Sequence, residues 1–186
     1  GIPAEPLFRS EAFTRKVIVP GFDSEKYENS YKFDTETIFP TATINLKAGD
    51  SVNFPVYASP NKKITLSIAS HKDILMNENP ETPGLYETRI EFTEEDVKYR
   101  SQKAVYKIMG KAGKFKNKVF SKGKIRIYPK NHILAIGKLR KQNQRLRPEP
   151  QKGEHILETR LFGKVKITGQ LNGFYRVLLA DGQDGW

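Results

Sequence analysis

Along most of this chain apolar residues return at every second position, the period of a strand with one buried face. Val52, Phe54 and Val56 form one such set, Ile64, Leu66 and Ile68 another, and Tyr86, Thr88, Ile90 and Phe92 a third. Ala42, Ile44 and Leu46 alternate with Thr43 and Asn45, and the Lys47-Ala48-Gly49-Asp50 turn separates them from the Val52 set. Ala104, Tyr106 and Ile108 oppose Val105, Lys107 and Met109, and the first group is predicted to face the core. "GKIRIYPK" adds a further strand, and "TRKVIVPG" at 14–21 a short one stopped by Pro20-Gly21. Pro55 lies inside a strand pattern, which places that strand at an edge or a bulge. Between the strands, "GFDSEKYENSYKFDTET" has no clean period and reads as a long loop or edge segment. Thr93 is predicted to cap a single acidic turn, with Asp96 three residues on in a capping-box position.

About seven strands at this spacing predict an antiparallel β-sandwich. The pattern then changes near Pro129. Ile133-Leu134-Ala135-Ile136 opens a new segment that turns basic and ends in Pro148 and Pro150. Beyond it, Val165 and Ile167 alternate with Lys164, Lys166 and Thr168. Asn172-Gly173 is a two-residue hairpin signal, and Tyr175, Val177 and Leu179 line one face of the returning strand. Asp181-Gly182 is a second tight turn. The expected organisation is therefore an arm over 1–12, a sandwich over 13–129 and a small β domain over 130–186. The chain ends on Trp186 just as another element begins, so it is expected to be a piece of a longer protein.

Composition narrows the class. Cysteine is absent, which excludes disulfides, a thiol nucleophile and Cys-ligated metal. No stretch approaches the roughly 18 apolar residues of a membrane-spanning helix. The net charge is +11, and it is unevenly placed. Residues 1–100 hold 12 Lys/Arg against 16 Asp/Glu, and residues 101–186 hold 20 against 5. Fifteen Lys/Arg and no acid fall between Lys103 and Arg147. That asymmetry points either to a solvated lysine-rich surface or to contact with a polyanion. Lysine outweighs arginine and aromatic interleaving is thin (Tyr106, Phe115, Phe120, Tyr128), which disfavours nucleic acid as the partner.

Two sets of residues carry family resemblances. Pro83-Gly84-Leu85-Tyr86 and Gly123-Lys124-Ile125-Arg126-Ile127 resemble the "PGxY" strand and late "GKIxI" strand of the immunoglobulin-like sandwich of exported bacterial proteins. Residues 131–186 resemble the bacterial SH3-like domain. The matching pieces are Arg147-Pro148, Leu161 with Gly163-Lys164-Val165, Gly173-Phe174-Tyr175-Arg176-Val177 with Leu179, and Asp181-Gly182-Gln183-Asp184-Gly185-Trp186. Phe174 stands where that family commonly has Trp, and the strand after Trp186 is missing. The resemblance implies an all-β protein, an immunoglobulin-like β-sandwich followed by a small SH3-like β-barrel. It further implies a non-catalytic region that binds peptidoglycan or an anionic cell-wall polymer, as found attached to N-acetylmuramoyl-L-alanine amidases and related peptidoglycan hydrolases. The expected location is extracellular or in the cell envelope, with an upstream signal or anchor removed.

Candidate chemistry is sparse. Arg147, Phe174, Tyr175 and Trp186 are the candidates for a ligand groove: large amphipathic rings give contact area at low entropy cost, and an arginine can fork onto a carboxylate. The competing reading has Tyr175 and Val177 filling a small core. Lys138, Arg140, Lys141 and Arg145 are candidates for polyanion contact. Neither a catalytic residue, a metal site nor a cofactor is expected. His155 and Glu158 have i, i+3 spacing but precede a β pattern, and no third ligand has zinc-site spacing. Ser70-His71-Lys72-Asp73 holds the residue types of a nucleophilic triad, yet neighbours in sequence do not make triad geometry; a surface turn is expected. His132 stands alone. A basic nucleic-acid binder and an enzyme with an unrecognised carboxylate site are the competing classes.

Overall fold

The computed structural model describes residues 23, 25–139, 144–150, 157–159 and 164–186. The expected arm, the strand at 14–21, Arg140, Lys141, His155, Leu161 and Gly163 lie outside them. The described residues form an all-β protein of sixteen strands and three short 3-10 turns. In chain order the strands are β1 (Ile44–Lys47), β2 (Ser51–Tyr57), β3 (Lys63–Ile68), β4 (His71–Leu75), β5 (Asn77–Glu78), β6 (Leu85–Glu91), β7 (Ser101–Gln102) and β8 (Val105–Met109). They continue as β9 (Phe115–Phe120), β10 (Ile125–Tyr128), β11 (Ala135–Lys138), β12 (Gln144–Leu146), β13 (Leu157–Thr159), β14 (Lys164–Leu171), β15 (Phe174–Leu178) and β16 (Asp184–Gly185).

One layer is the sheet β2-β6-β5, extended by a bridge between Phe33 and Ala58. Pro55 sits in β2, the outer strand of that order, where a missing N–H costs no ladder hydrogen bond. Facing it is β4-β3-β8-β9. The alternation read from the sequence packs between the layers. Val52, Phe54 and Val56 meet Ile64, Leu66, Ile68, Ala104, Tyr106 and Ile108 in one buried cluster with Tyr86, Ile90 and Phe92. Burying each such side chain contributes about 1.5–3 kcal/mol. Tyrosine hydroxyls in this core need partners. Tyr106 donates to the Phe39 carbonyl at 2.7 Å, and Tyr86 donates to the Ser59 carbonyl at 3.1 Å while accepting from the Lys62 N–H at 2.9 Å. Burial raises both phenol pKa values well above the ordinary range.

The chain passes from β9 to β10 through Ser121–Lys124. Buried Ser121 holds the bend: its Oγ accepts from the Ala104 N–H at 3.0 Å and donates to the Gly123 carbonyl at 2.7 Å. Gly123 is packed so tightly that a Cβ would stand 2.1 Å from the Ala42 carbonyl oxygen. Beyond the bend β10 pairs in parallel with β1, Ile44 opposite Ile125 and Leu46 opposite Ile127.

On its other side β1 pairs antiparallel with β14, Asn45 opposite Gln170. The carboxy-terminal strands therefore continue the sheet that β1 and β10 begin, in the order β16-β15-β14-β1-β10-β7, with β11 also on β14. They have a small apolar cluster of their own (Leu146, Val165 and Val177, with Leu139 and Leu179), while Leu171 and Trp186 join the main core. The β14–β15 hairpin turns at Asn172 and Gly173, both at positive φ (50° and 80°), as an Asn-Gly turn requires.

Candidate binding cleft

A cleft of about 740 Å³ opens where the β1–β2 turn meets the β14–β15 hairpin and the chain's last residues. The turn builds one wall. Gly49 takes φ 93°, a conformation that glycine adopts without strain, and its N–H donates to the Phe92 carbonyl at 2.7 Å. The Lys47 N–H donates to one Asp50 carboxylate oxygen at 2.8 Å. The other oxygen accepts from Arg176 Nη1.

Arg176 is the centre of the opposite wall and is only 5% exposed. Its Nε donates to Thr168 Oγ1 at 3.1 Å and its Nη2 to the Thr168 carbonyl at 3.0 Å. The guanidinium is thus a three-way tie, and its plane carries a cation–π contact with the Trp186 ring. A bulge makes this possible: the register of β14 against β15 shifts between Ile167 and Gly169, which leaves Thr168 unpaired and sets Gly169 opposite Arg176. A Cβ on Gly169 would lie 2.9 Å from Arg176 Nη2 and 3.0 Å from the Trp186 ring.

Two more ion pairs span the cleft. Lys47 Nζ meets Asp184 at 2.8 Å, and Arg89 meets Glu149 at 3.0 Å. Asn53, Asn172 and Pro148 also line it beside Trp186, and Phe39, Leu46, Val52 and Leu171 supply apolar surface. The lining charges balance, three cations against three carboxylates. Amides, fixed ion pairs and one indole ring suit a polar, uncharged or zwitterionic ligand such as a sugar chain or peptide better than a free anion.

The ligand-groove candidates divide between two places. Arg147 and Trp186 come together, because their backbones exchange hydrogen bonds of 2.9 and 2.8 Å at the cleft. Phe174 is half-buried next to the hairpin turn. Tyr175 points to the opposite face of β15 from Arg176 and is 54% exposed, so the reading that it fills a core is corrected; Val177, on the same face, is buried. The reason is position along the strand. Val177 pairs with Ile167 over the small apolar cluster, whereas Tyr175 pairs with Gln170 beyond it. There Tyr175 joins a cross-strand row, Tyr175–Gln170–Asn45–Arg126–Ser101, on one face of the sheet. Asn45 Nδ2 donates to Gln170 Oε1 at 2.9 Å within it. Of the polyanion candidates, Lys138 on β11 and Arg145 on β12 are exposed. The sequence reading missed Arg176, since alternation alone makes it a solvent-facing position.

Ser70 and His71 lie at the β3–β4 connection and at the start of β4, and their acid is Asp96 rather than Asp73. Asp96 is fully buried. Its Oδ1 accepts from the Ser70 N–H at 3.0 Å and from Ser70 Oγ at 2.5 Å, and its Oδ2 accepts from the Thr93 N–H at 2.8 Å. His71 Nε2 lies 3.5 Å from the same carboxylate. Burial pushes the Asp96 pKa up, but the Ser70 and Thr93 hydrogen bonds and the nearby His71 outweigh it and hold the carboxyl below its ordinary value. The serine hydroxyl donates to the acid and not to the imidazole, the reverse of the order that activates a nucleophile. The network ties the acidic turn to the β3–β4 connection.

The chain matches no family model and no curated protein. Among solved structures it is similar to a chimeric titin Z1Z2-Z1Z2 tandem functionalized with a GRGDS peptide from fibronectin, at 12% identity and a TM-score of 0.33, over 64% of this chain and 55% of that one. It is also similar to human titin ZIg10, at 12% identity and a TM-score of 0.30, over 55% of this chain and 79% of that one.

Proposed function

We propose that this chain is a non-catalytic binding region of a bacterial envelope protein, holding peptidoglycan or an anionic wall polymer as part of a peptidoglycan hydrolase such as an N-acetylmuramoyl-L-alanine amidase. The observation that carries the reading is the cleft beside Trp186. It combines an indole ring held by Arg176 and the Arg147 backbone with amides and fixed ion pairs, the composition that grips a polar chain without reacting with it. The exposed cations of β11 and β12 add long-range attraction for an acidic polymer. A binding role also agrees with Asp96, whose lone pairs are taken up by structural donors.

Sedimentation with purified bacterial cell walls tests it. The protein is expected to pellet with walls at low salt, and W186A to pellet less while remaining folded by circular dichroism. Loss of pelleting after removal of anionic polymers from the walls would assign the polymer, and retention would assign peptidoglycan. A wild-type protein that stays in the supernatant at low salt overturns the reading, as does release of soluble wall fragments.

A further inference from the structure

A second groove, on the outer face of β4-β3-β8-β9 and away from the cleft, has about 600 Å³ of space. Two cross-strand rows make its floor. Leu75, Thr65, Lys107 and Lys118 are successive partners across the four strands, and Lys63, Met109 and Phe115 form the next row. These side chains share the face opposite the core. Four strands spaced about 4.8 Å apart give the groove a length of about 14 Å, which is about four residues of extended chain.

Its surface is apolar at both ends and basic between. Leu75 is 54% exposed and Phe115 52%, with Phe120 just beyond Lys118 at 51%. Three large exposed apolar groups on one sheet face mark a contact surface rather than scattered solvent exposure. Lys107 is already paired with Asp73 at 2.7 Å. Lys63 and Lys118 make no ion pair among the described residues. Thr65 is 6% exposed in the floor, and Asp73 accepts from Ser67 Oγ at 3.3 Å as well as from Lys107.

We propose that this groove binds an extended acidic peptide segment whose carboxylates flank large apolar side chains. Carboxylates meet Lys63 and Lys118, and apolar side chains cover Leu75, Met109 and Phe115. An acyl chain of the same length would cover the Lys63 and Lys118 ammonium groups without giving either a counter-charge, which is unfavourable. The groove is separate from the cleft assigned to the wall, so the two bind independently.

The test is fluorescence polarisation of the whole chain with a fluorescein-labelled Glu-Phe-Glu-Leu-Glu-Phe peptide. Its Lys-for-Glu counterpart and phosphatidylglycerol vesicles are the comparison arms. Saturable binding of the acidic peptide is expected, with no binding of the basic one. K63E/K118E and L75S/F115S should each weaken it about tenfold or more, while K130E, which reverses one charge outside the groove, leaves it unchanged. All five positions are at the surface, and a thermal unfolding curve for each variant separates lost binding from lost fold. Equal binding of both peptides, indifference to the groove substitutions, no binding of either peptide, or binding to vesicles alone overturns the proposal. Wall sedimentation of the groove variants should match wild type whichever way the proposal of a wall-binding role falls.

Discussion

The guanidinium carbon of Arg176 lies 4.9 Å from the centroid of the Trp186 ring. The same guanidinium holds Thr168 within the hairpin and Asp50 in the turn between β1 and β2. One side chain therefore joins the carboxy-terminal strands to the sandwich by charge, by hydrogen bonds and by stacking.

Removing that side chain leaves Asp50 nearly buried without its cation. Breaking a buried pair in this way costs about 3–5 kcal/mol, so R176L should lower the urea midpoint strongly at unchanged m-value. R176K keeps the charge but loses the planar fork and the stack, and should fall between R176L and wild type. An R176L midpoint equal to wild type would show that Arg176 does not couple the two parts.

Trp186 is the single tryptophan, so its emission reports this contact without interference. It is half-buried against the core. R176A should shift the emission to longer wavelength under conditions where far-ultraviolet circular dichroism remains native. An unshifted spectrum would mean that the ring is held by its backbone pairing with Arg147 alone.

The two close-packed glycines separate a rigid obstacle from a softer one. In G123A the new methyl meets the Ala42 carbonyl, which is backbone. In G169A it meets the ends of the Arg176 and Trp186 side chains. Overpacking costs about 1–3 kcal/mol, occasionally more. G123A should lie at or above the top of that range because the chain next to β1 must move. G169A should cost less, and most of its loss should vanish in an R176A background. Thermal unfolding of the single and double variants checks both, and additive losses in G169A/R176A would sink the second.

The legible parts of this fold are those set by local pattern. The Val52, Ile64 and Ala104 sets alternate cleanly because each strand has one face on the core. Asn172-Gly173 announces its hairpin because only a few residues accept its backbone angles. Thr93 and Asp96 announce a cap, but nothing local shows that Ser70 and His71 close on the same carboxylate. Strand β9 escapes because Phe115 and Phe120 lie on the outer face with Lys118, so its apolar residues point away from the core. Arg176 escapes because residues far off in sequence, Asp50 and Trp186, cover its face of β15, with Thr168 released toward it by a bulge one strand away. The pairing of Asn45 with Gln170 joins residues 125 apart, and no periodicity encodes a partner at that distance.

Asp96 gives the chain an acid-sensitive joint whose sign follows from its depressed pKa. The folded carboxylate binds its proton more weakly than the unfolded one, whose pKa is about 3.9. The unfolded state therefore takes up more protons in acid, and stability rises with pH across that window. The contribution is complete above the unfolded value and is lost as pH falls through the lower, folded value. D96N cannot lose it again. It also turns an amide N–H₂ toward donors from Ser70 or Thr93, which leaves a buried donor unpaired at about 1–3 kcal/mol. D96N is thus expected to be less stable at neutral pH and to show a shallower fall in stability toward acid, by up to one proton's slope. Urea unfolding at a series of pH values from neutral to acid measures both. Parallel acid limbs for wild type and D96N would show that another carboxylate carries the transition, and a neutral-pH stability equal to wild type would show that the Ser70–Asp96–Thr93 network contributes nothing to the fold.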